Sequence, residues 1–479
     1  MRDLASRCLD MARALRARYA DVRILRVRDE EIVVKNGRVE AMLVREEEGF
    51  GVRAIADGAW GFAASRRLEP AEADRIAALA VQVARASALA KRSDVRIGDP
   101  VVSMGSYTTP VKIDPFGVSV EEKIGLLLQA DAAMRSVPGV SVAESSIQSI
   151  RTEKLFASTE GSFVEQELVE TGAGIEATAV RDGEVQKRSY PNSFGRHQGT
   201  AGYEFVLDMK LAENAPLIAE QAVQLLSAEQ CPSDLVTTVI LDPTQVALQL
   251  HESCGHPIEL DRVLGTEASF AGTSFLTMDK LGSFRYASPV VNIVADATVP
   301  GGLGTFGYDD EGVPAQRVPI VQNGVFVNYL TSRETAALLG QNSNGTMRAD
   351  GWNRIPLIRM TNVNLEPGTW SLEDMIADTD EGIYMMTNKS WSIDDRRLNF
   401  QFGTEIAWEI KGGKLVRMFK NATYTGITPQ FWGGCDAVGR EWRVWGIPNC
   451  GKGQPMQVAH VGHGAAAARF RNVRVGVMG

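Results

Sequence analysis

Long apolar runs are missing from this 479-residue chain. Nothing in it approaches the ~18 unbroken apolar residues that a membrane-spanning helix needs, so no membrane association is expected. Positive charge is in deficit: 50 Lys and Arg stand against 59 Asp and Glu, a net charge of −9, and no basic run breaks that balance. Such a chain has no field to gather nucleic acid, and binding of that kind is not expected either. Cysteine is scarce and odd in number, with Cys8, Cys231, Cys254, Cys435 and Cys450 scattered without a pattern. That excludes a disulfide framework and reads as reduced thiols of a cytoplasmic protein, some of them candidate metal ligands. The opening MRDLASRCLDMARALRARYADV lacks the apolar centre of a secretory signal, and Asp3 and Asp10 count against a transit peptide. It reads as an amphipathic helix with Leu4, Cys8, Met11 and Leu15 on one stripe.

What the chain does contain is an internal echo. Helical periodicity over Asp3–Ala20 gives way to β-rich runs up to Ser65 and a helix over Glu69–Ala90. The same order returns as a helix over Val120–Arg135, β-runs over Val140–Arg188 and a helix over Leu207–Ser227. Asn36–Gly58 lies over Glu160–Gly183 with one residue of slack, and both end at Asp-Gly. Asp57-Gly58 and Asp182-Gly183 are two-residue hairpin turns, since glycine accepts the positive φ such turns need. The front half therefore reads as a pseudo-duplicated α+β domain, residues 1–230, with helices covering an antiparallel sheet. Little in it looks chemical. No phosphate or dinucleotide loop opens either repeat, His197 is expected in a solvated loop, and Trp60 and Phe62 read as packing residues.

Past Cys231-Pro232-Ser233-Asp234 the pattern changes. DLVTTVILDP predicts a strand and TQVALQLHESCGH a helix; short strands between Gly-rich turns follow, with helices at Ser332–Leu339 and Leu372–Ala377. Residues 231–479 read as a mostly antiparallel, barrel-like β domain carrying that helix.

The sharpest local signal is VALQLHESCGHPIELDRVLG, Val246–Gly265, which holds His251-Glu252 and then His256. Two histidines four apart on a helix are separated by about 400° and share a face; five apart they are separated by about 500°, which leaves the rings roughly 140° apart. A shared ion then requires the backbone to end or widen, as a turn with i→i+5 hydrogen bonding would; Gly255 and Pro257 favour this. A catalytic zinc commonly takes three protein ligands and a water. Cys254 points away between the histidines and reads as a buried thiol. Cys435, Cys450 (in the loop PNCGKGQ), His460 and His463 remain candidates for the third ligand.

Five segments in register resemble the TldD/PmbA family of zinc metallopeptidases, once described as modulators of DNA gyrase. They are GFGVRAIADG, His251–His256, DDEGVP (Asp309–Pro314), IRMTN (Ile358–Asn362) and NCGKGQPM. The resemblance is to the TldD-type, catalytic kind, which carries a His-Glu-x-x-x-His motif and a late cysteine. It implies His251, His256 and Cys450 as ligands of one Zn2+ per chain and Glu252 as the catalytic carboxylate; the HVGHGAAAARF segment is less usual for the family and keeps His460 and His463 as candidate site neighbours. It also implies a homodimer, or a heterodimer with a PmbA-type chain, that encloses the site and admits small or unfolded polypeptides.

Zinc lowers the pKa of a bound water to ~7 and polarises a carbonyl, and Glu252 is placed to carry the proton from water to the leaving amine. Arg354 and Arg359 are candidate oxyanion donors or else surface ion-pair partners; Asp309, Asp310 and Glu311 form either a solvated turn or a site edge. The competing account is a non-catalytic partner or regulatory binding protein with structural zinc or none, for which a fourth protein ligand would be the mark.

Overall fold

The computed structural model describes residues 1–269 and 272–476. The first repeat runs α1 (Arg2–Ala14), β1 (Tyr19–Lys35), β2 (Arg38–Ala56), β3 (Ala59–Ser65) and α2 (Pro70–Ala88). After the short β4 (Met104–Thr108), the second runs α3 (Val120–Arg135), β5 (Val140–Ser158), β6 (Phe163–Arg181), β7 (Glu184–Tyr190), β8 (His197–Gly199), α4 (Glu204–Asp208) and α5 (Leu211–Leu225). The two repeats make one sheet, joined by antiparallel pairing of β1 with β5 from Asp21↔Ser158 to Lys35↔Glu144. Both predicted hairpin turns have the positive φ expected of them, at Asp57 (52°) and Gly58 (78°), and at Asp182 (53°) and Gly183 (82°).

Side chains alternate across a strand, and in β1 that alternation divides two jobs. Val22 and Ile24 are fully buried against α1 and α2, and Ile32 and Val34 against the α3–α5 layer. Glu30, on the same face, forms an ion pair with Lys123 of α3. The opposite face turns to the second half of the chain. There Arg23 donates to the carbonyl of Arg354, Arg53 joins Asp21 (2.6 Å) to Glu311 (3.4 Å), and Lys154 pairs with Asp310 (2.7 Å). Asp309, Asp310 and Glu311 are therefore not a solvated turn. All three are buried, and burial raises Asp309, with Glu311 beside it adding to the effect. The Asp309 carboxylate accepts from the amides of Glu311, Val313 and Met347.

The second half closes five strands into a ring. Leu235–Leu241 lies parallel to Glu381–Ile393 and antiparallel to Ala468–Val475; Thr423–Ile427 and Asn399–Lys411 complete the circuit back to Glu381–Ile393. The barrel-like expectation holds. Its core is aromatic, with Phe400, Phe402, Tyr424, Phe431, Trp432 and Phe470 all buried together. α6 (Pro243–Leu250) leaves the first of these strands at Asp242, whose carboxylate caps it through the amides of Thr244 (3.2 Å) and Gln245 (3.0 Å). Proline at the first helical position removes an N–H that would have no partner there.

Three local expectations need correction. The first helix ends at Ala14, not Ala20, because Tyr19, Ala20 and Val22 are drawn into the sheet as fully or almost fully buried strand residues. The helix expected over Leu207–Ser227 is two helices, broken where Lys210 adopts a left-handed φ of 51°. His197 is not solvated: it is 9% exposed, sits between the rings of Phe205 and Trp445, and its Nδ1 accepts from the amide of Gly446 (3.4 Å).

Burial pushes the His197 imidazole from 6.5 down to about 4. Protonation then favours the unfolded chain, so this contribution is complete above pH 6.5 and is lost as pH falls toward 4. His197→Phe, which keeps a ring between Phe205 and Trp445, is expected to abolish about 2–3 kcal/mol of the stability loss between pH 7 and pH 4.5. Urea unfolding at the two pH values measures it, and an unchanged loss would show that His197 carries its proton in place.

Candidate metal centre

α6 does not end as a regular helix. From His251 to Gly255 the backbone widens into a π turn, and the amide of His256 donates to the carbonyl of His251 (3.2 Å). Two packing features hold this wider turn. A Cβ on Gly255 would lie 2.1 Å from the Met360 sulfur, so only glycine allows the segment below to approach. The outer side is pinned by polar tips of core aromatics: Trp432 Nε1 donates to Ser253 Oγ (2.9 Å), Tyr286 Oη to the Ser253 carbonyl (2.9 Å), and Tyr424 Oη to Gln249 Oε1 (2.9 Å). Cys254 is the buried thiol expected of it.

The extra residue turns both imidazoles the same way, with ring centroids 4.8 Å apart. Against them comes Cys450, whose Sγ is 3.6 Å from His256 Nε2. One donor atom from each of His251, His256 and Cys450 lies within 4.8 Å of the others, and all three residues are buried. Cys450 is delivered by a hairpin strand, Arg443–Lys452, rather than by a free loop. Arg359 sets its height. This arginine is neither a surface ion pair nor a residue of the cleft wall: it is 1% exposed and donates to the carbonyls of Cys450 and Gln457 (3.0 Å to the latter). Lys452 anchors the same strand through Asp261 (2.7 Å) and the Ile358 carbonyl (2.8 Å).

The remaining ring nitrogens fix which atoms are free. His463, on the partner strand Gln457–Ala465, has Nδ1 3.0 Å from the Val363 carbonyl. A carbonyl only accepts, so that nitrogen carries the proton and His463 Nε2 accepts from His251 Nδ1 (2.9 Å). His256 Nδ1 faces Glu259 Oε2 (3.0 Å) and donates to it. Both ligand candidates are thereby left with an unprotonated Nε2, the form a metal takes.

Burial supports the same states. It lowers His251 to about 4 and drives His256 and His463 well below the ordinary histidine value. For Cys450 burial acts upward, but the charges of His256 and Arg359 outweigh it and leave the thiol below its usual range. Since burial holds His256 neutral near pH 7, the permanent charge of Arg359 is the part of that pull that persists. Two neutral imidazoles and a thiol whose backbone is held by the Arg359 guanidinium suit a zinc-like ion.

These groups stand in a cleft of 580 Å³ between the outer face of the first domain and the barrel. Glu31 and Val33 of β1 and Glu144 and Ser146 of β5 form one wall; the π turn, Asn388, Trp391 and Arg397, with residues Gly446–Gly451, form the other. Glu252 opens onto it and holds Arg397 Nη1 at 2.6 Å. Nothing at Arg397 in the sequence marked it out; it sits in the turn between the strands Glu381–Ile393 and Asn399–Lys411, a stretch that reads only as a charged loop.

Two predicted neighbours lie elsewhere. His460 faces a separate cavity with Glu170, 2.5 Å from Nδ1, and that carboxylate raises its pKa against the effect of burial. Arg354 is not on the cleft wall either, its carbonyl being bound to Arg23 on the first domain.

Two imidazoles and a thiol beside a carboxylate, on the wall of a cleft, suit the kind of centre found in metallopeptidases. The chain belongs to the PmbA/TldD family of metallopeptidases: domain 1 of that family matches residues 20–84, its central domain 113–228 and its C-terminal domain 235–477. A metalloprotease of Methanocaldococcus jannaschii is 31% identical, over 93% of this chain and 94% of its own length. The metalloprotease TldD homolog of Haemophilus influenzae is 27% identical over 96% of this chain and 92% of its own. The crystal structure of TldE from Thermococcus kodakarensis shares the fold, with a TM-score of 0.77 at 19% identity, covering 99% of this chain and 100% of that one.

Partners that orient metal-bound histidines commonly govern affinity by about 10–100-fold. Glu259→Ala and His463→Leu should each release zinc to a competing chelator at concentrations lower by about that factor. His460→Leu, whose side chain faces the separate cavity with Glu170, serves as the control and leaves zinc retention unchanged. Equal retention by all three would show that the hydrogen bonds to Nδ1 do not matter.

Proposed function

We propose that the protein is a zinc-dependent peptidase acting on small or unfolded polypeptides, with His251, His256 and Cys450 as ligands and Glu252 as general base. The observation that carries this reading is the convergence of three donor atoms able to bind a metal within 4.8 Å, directly beside a carboxylate on a cleft wall. When bound, zinc would supply Lewis acidity toward a carbonyl and bring the pKa of a water to ~7.

The protein's own residues account for the rest. Glu252 follows His251 in the chain and projects into the cleft, where its carboxylate takes the proton of the attacking water and passes it to the leaving amine nitrogen. Arg397 holds Oε2, fixing the carboxylate's direction while the second oxygen serves as the proton acceptor. The buried surroundings of the three ligands exclude water from all but the open side of the centre. A cleft walled by β1 and β5 on one side and the barrel on the other suits an extended chain and not a folded domain.

Among the described residues only three such donors come together, which suits a catalytic centre with an open position better than a structural site with four protein ligands. This disfavours the account of a purely regulatory binding protein. Val39, Met42, Leu43 and Val44 on the β1–β2 hairpin are each 40–54% exposed, an apolar tip that a second copy or a PmbA-type chain would cover. No helix among the described residues is long and apolar enough to cross a membrane, and the five unpaired cysteines suit a reducing cytoplasm.

Glu252→Gln keeps the shape of the side chain and removes its basicity. It is expected to retain zinc while cutting cleavage of unfolded β-casein by about 10²–10⁴-fold; a chelator should abolish cleavage by the native protein, with zinc restoring it. Undiminished cleavage by the zinc-loaded variant would remove Glu252 from the chemistry.

A further inference from the structure

The cleft contains a polar group that the reading above does not use. Asn388 lies on the strand Glu381–Ile393 and is 1% exposed, yet neither its Nδ2 nor its Oδ1 has a hydrogen-bond partner in the protein. Burying an amide with both functions unmet is costly, and such groups are rare in folded proteins. Gln198 is in the same position but lies off the cleft; Asn388 is on its wall.

Its placement is fixed with some care. Thr387 takes a left-handed φ of 59°, and the pairing register shifts between Asn388 and Ser390. A bulge of this kind re-aims a side chain. The amide of Thr387 donates to Asp242 (3.1 Å), the same carboxylate that caps α6. Asn388 is thus tied, one residue away, to the start of the helix that carries His251 and Glu252.

A primary amide offers one donor and one acceptor side by side. In an extended chain, the N–H and C=O of a single residue point to the same side, which is how antiparallel strands exchange paired bonds. The two patterns are complementary. Beside Asn388 the cleft rim carries Trp391 and Phe194, 45% and 49% exposed, their rings 6.1 Å apart, a surface for a substrate side chain.

We propose that Asn388 is a substrate-binding residue that reads main chain: its amide takes the N–H and C=O of one residue of an extended polypeptide and so sets which peptide bond faces Glu252. This rests on the peptidase reading for its substrate, and it predicts binding independent of side-chain identity at that position.

The test uses the full-length, zinc-loaded protein carrying Glu252→Gln, so that binding is read without turnover. Fluorescein-labelled oxidised insulin B chain, an unfolded peptide, is titrated by anisotropy. Adding Asn388→Leu is expected to weaken binding about 10–100-fold, the loss of two hydrogen bonds, without lowering Tm, since the apolar side chain no longer buries an unpaired amide. A series of B-chain segments N-methylated one residue at a time supplies a second measurement that needs no Asn388 variant. One position should cost the Glu252→Gln protein about tenfold and cost the doubly substituted protein nothing.

Equal affinity with and without Asn388, failure of the Glu252→Gln protein to bind the peptide, or the absence of any sensitive N-methyl position would each overturn the proposal. Cleavage of the same peptide by the native protein is assayed in parallel: a peptide bound through Asn388 but left intact would sink the peptidase reading and leave this assignment standing.

Discussion

One hydrogen bond decides whether the imidazoles of His251 and His256 share a face: the amide of His256 to the carbonyl of His251. Drawn to the usual carbonyl one residue later, the chain would keep a regular helix and the two rings would diverge by roughly 140°. The wider turn is poorer in backbone geometry than an α-helix, so its persistence has to come from elsewhere. It comes from below through the close seat of Gly255 on Met360 and from above through the indole and phenol groups on Ser253 and Gln249. The barrel's aromatic core is thus also the clamp on a functional turn.

The IRMTN stretch, which links two short strands, organises a site without entering it. Lys452 bonds the Ile358 carbonyl, Arg359 reaches the carbonyl of Cys450, and Met360 lies under the π turn. Asn362 completes the strap through Asp296, Thr305 and Gly304. The helix with the histidines and the hairpin with the thiol are separate in sequence by nearly two hundred residues, and this segment spans them. Its residues pack and hydrogen-bond; they do not face the cleft.

Much of this is legible in the sequence. The repeat, its Asp-Gly turns, the barrel-like second half and the need for the helix to end or widen between His251 and His256 all follow from period, spacing and the positions of glycine and proline. What stayed hidden depends on long-range contact. His197 looks like a loop residue because its partners, Phe205 and Trp445, are brought together only by the docking of the two halves. DDEG has the composition of a turn in water, and only the complementary Arg53 and Lys154 of the first domain make it an interface. Arg397 and Asn388 carry no local signal, since Arg397 is set apart by its ion pair with Glu252, distant in sequence, and Asn388 by lying unpartnered on the cleft wall. Arg359 was noticed for its charge, whereas its hydrogen bonds to backbone carbonyls are what matter in the structure.

The strict division of β1 into two faces has a wider implication. Val22, Ile24, Ile32 and Val34 carry the helices, while Glu31 and Val33 between them form part of the cleft wall. Stability and selectivity are therefore written on alternate letters of one strand. Such a layout lets Glu31 and Val33 be exchanged to reshape the wall without disturbing the helix-facing core, whereas Asp21 and Arg23, earlier on the same face, are committed to the joint between the halves.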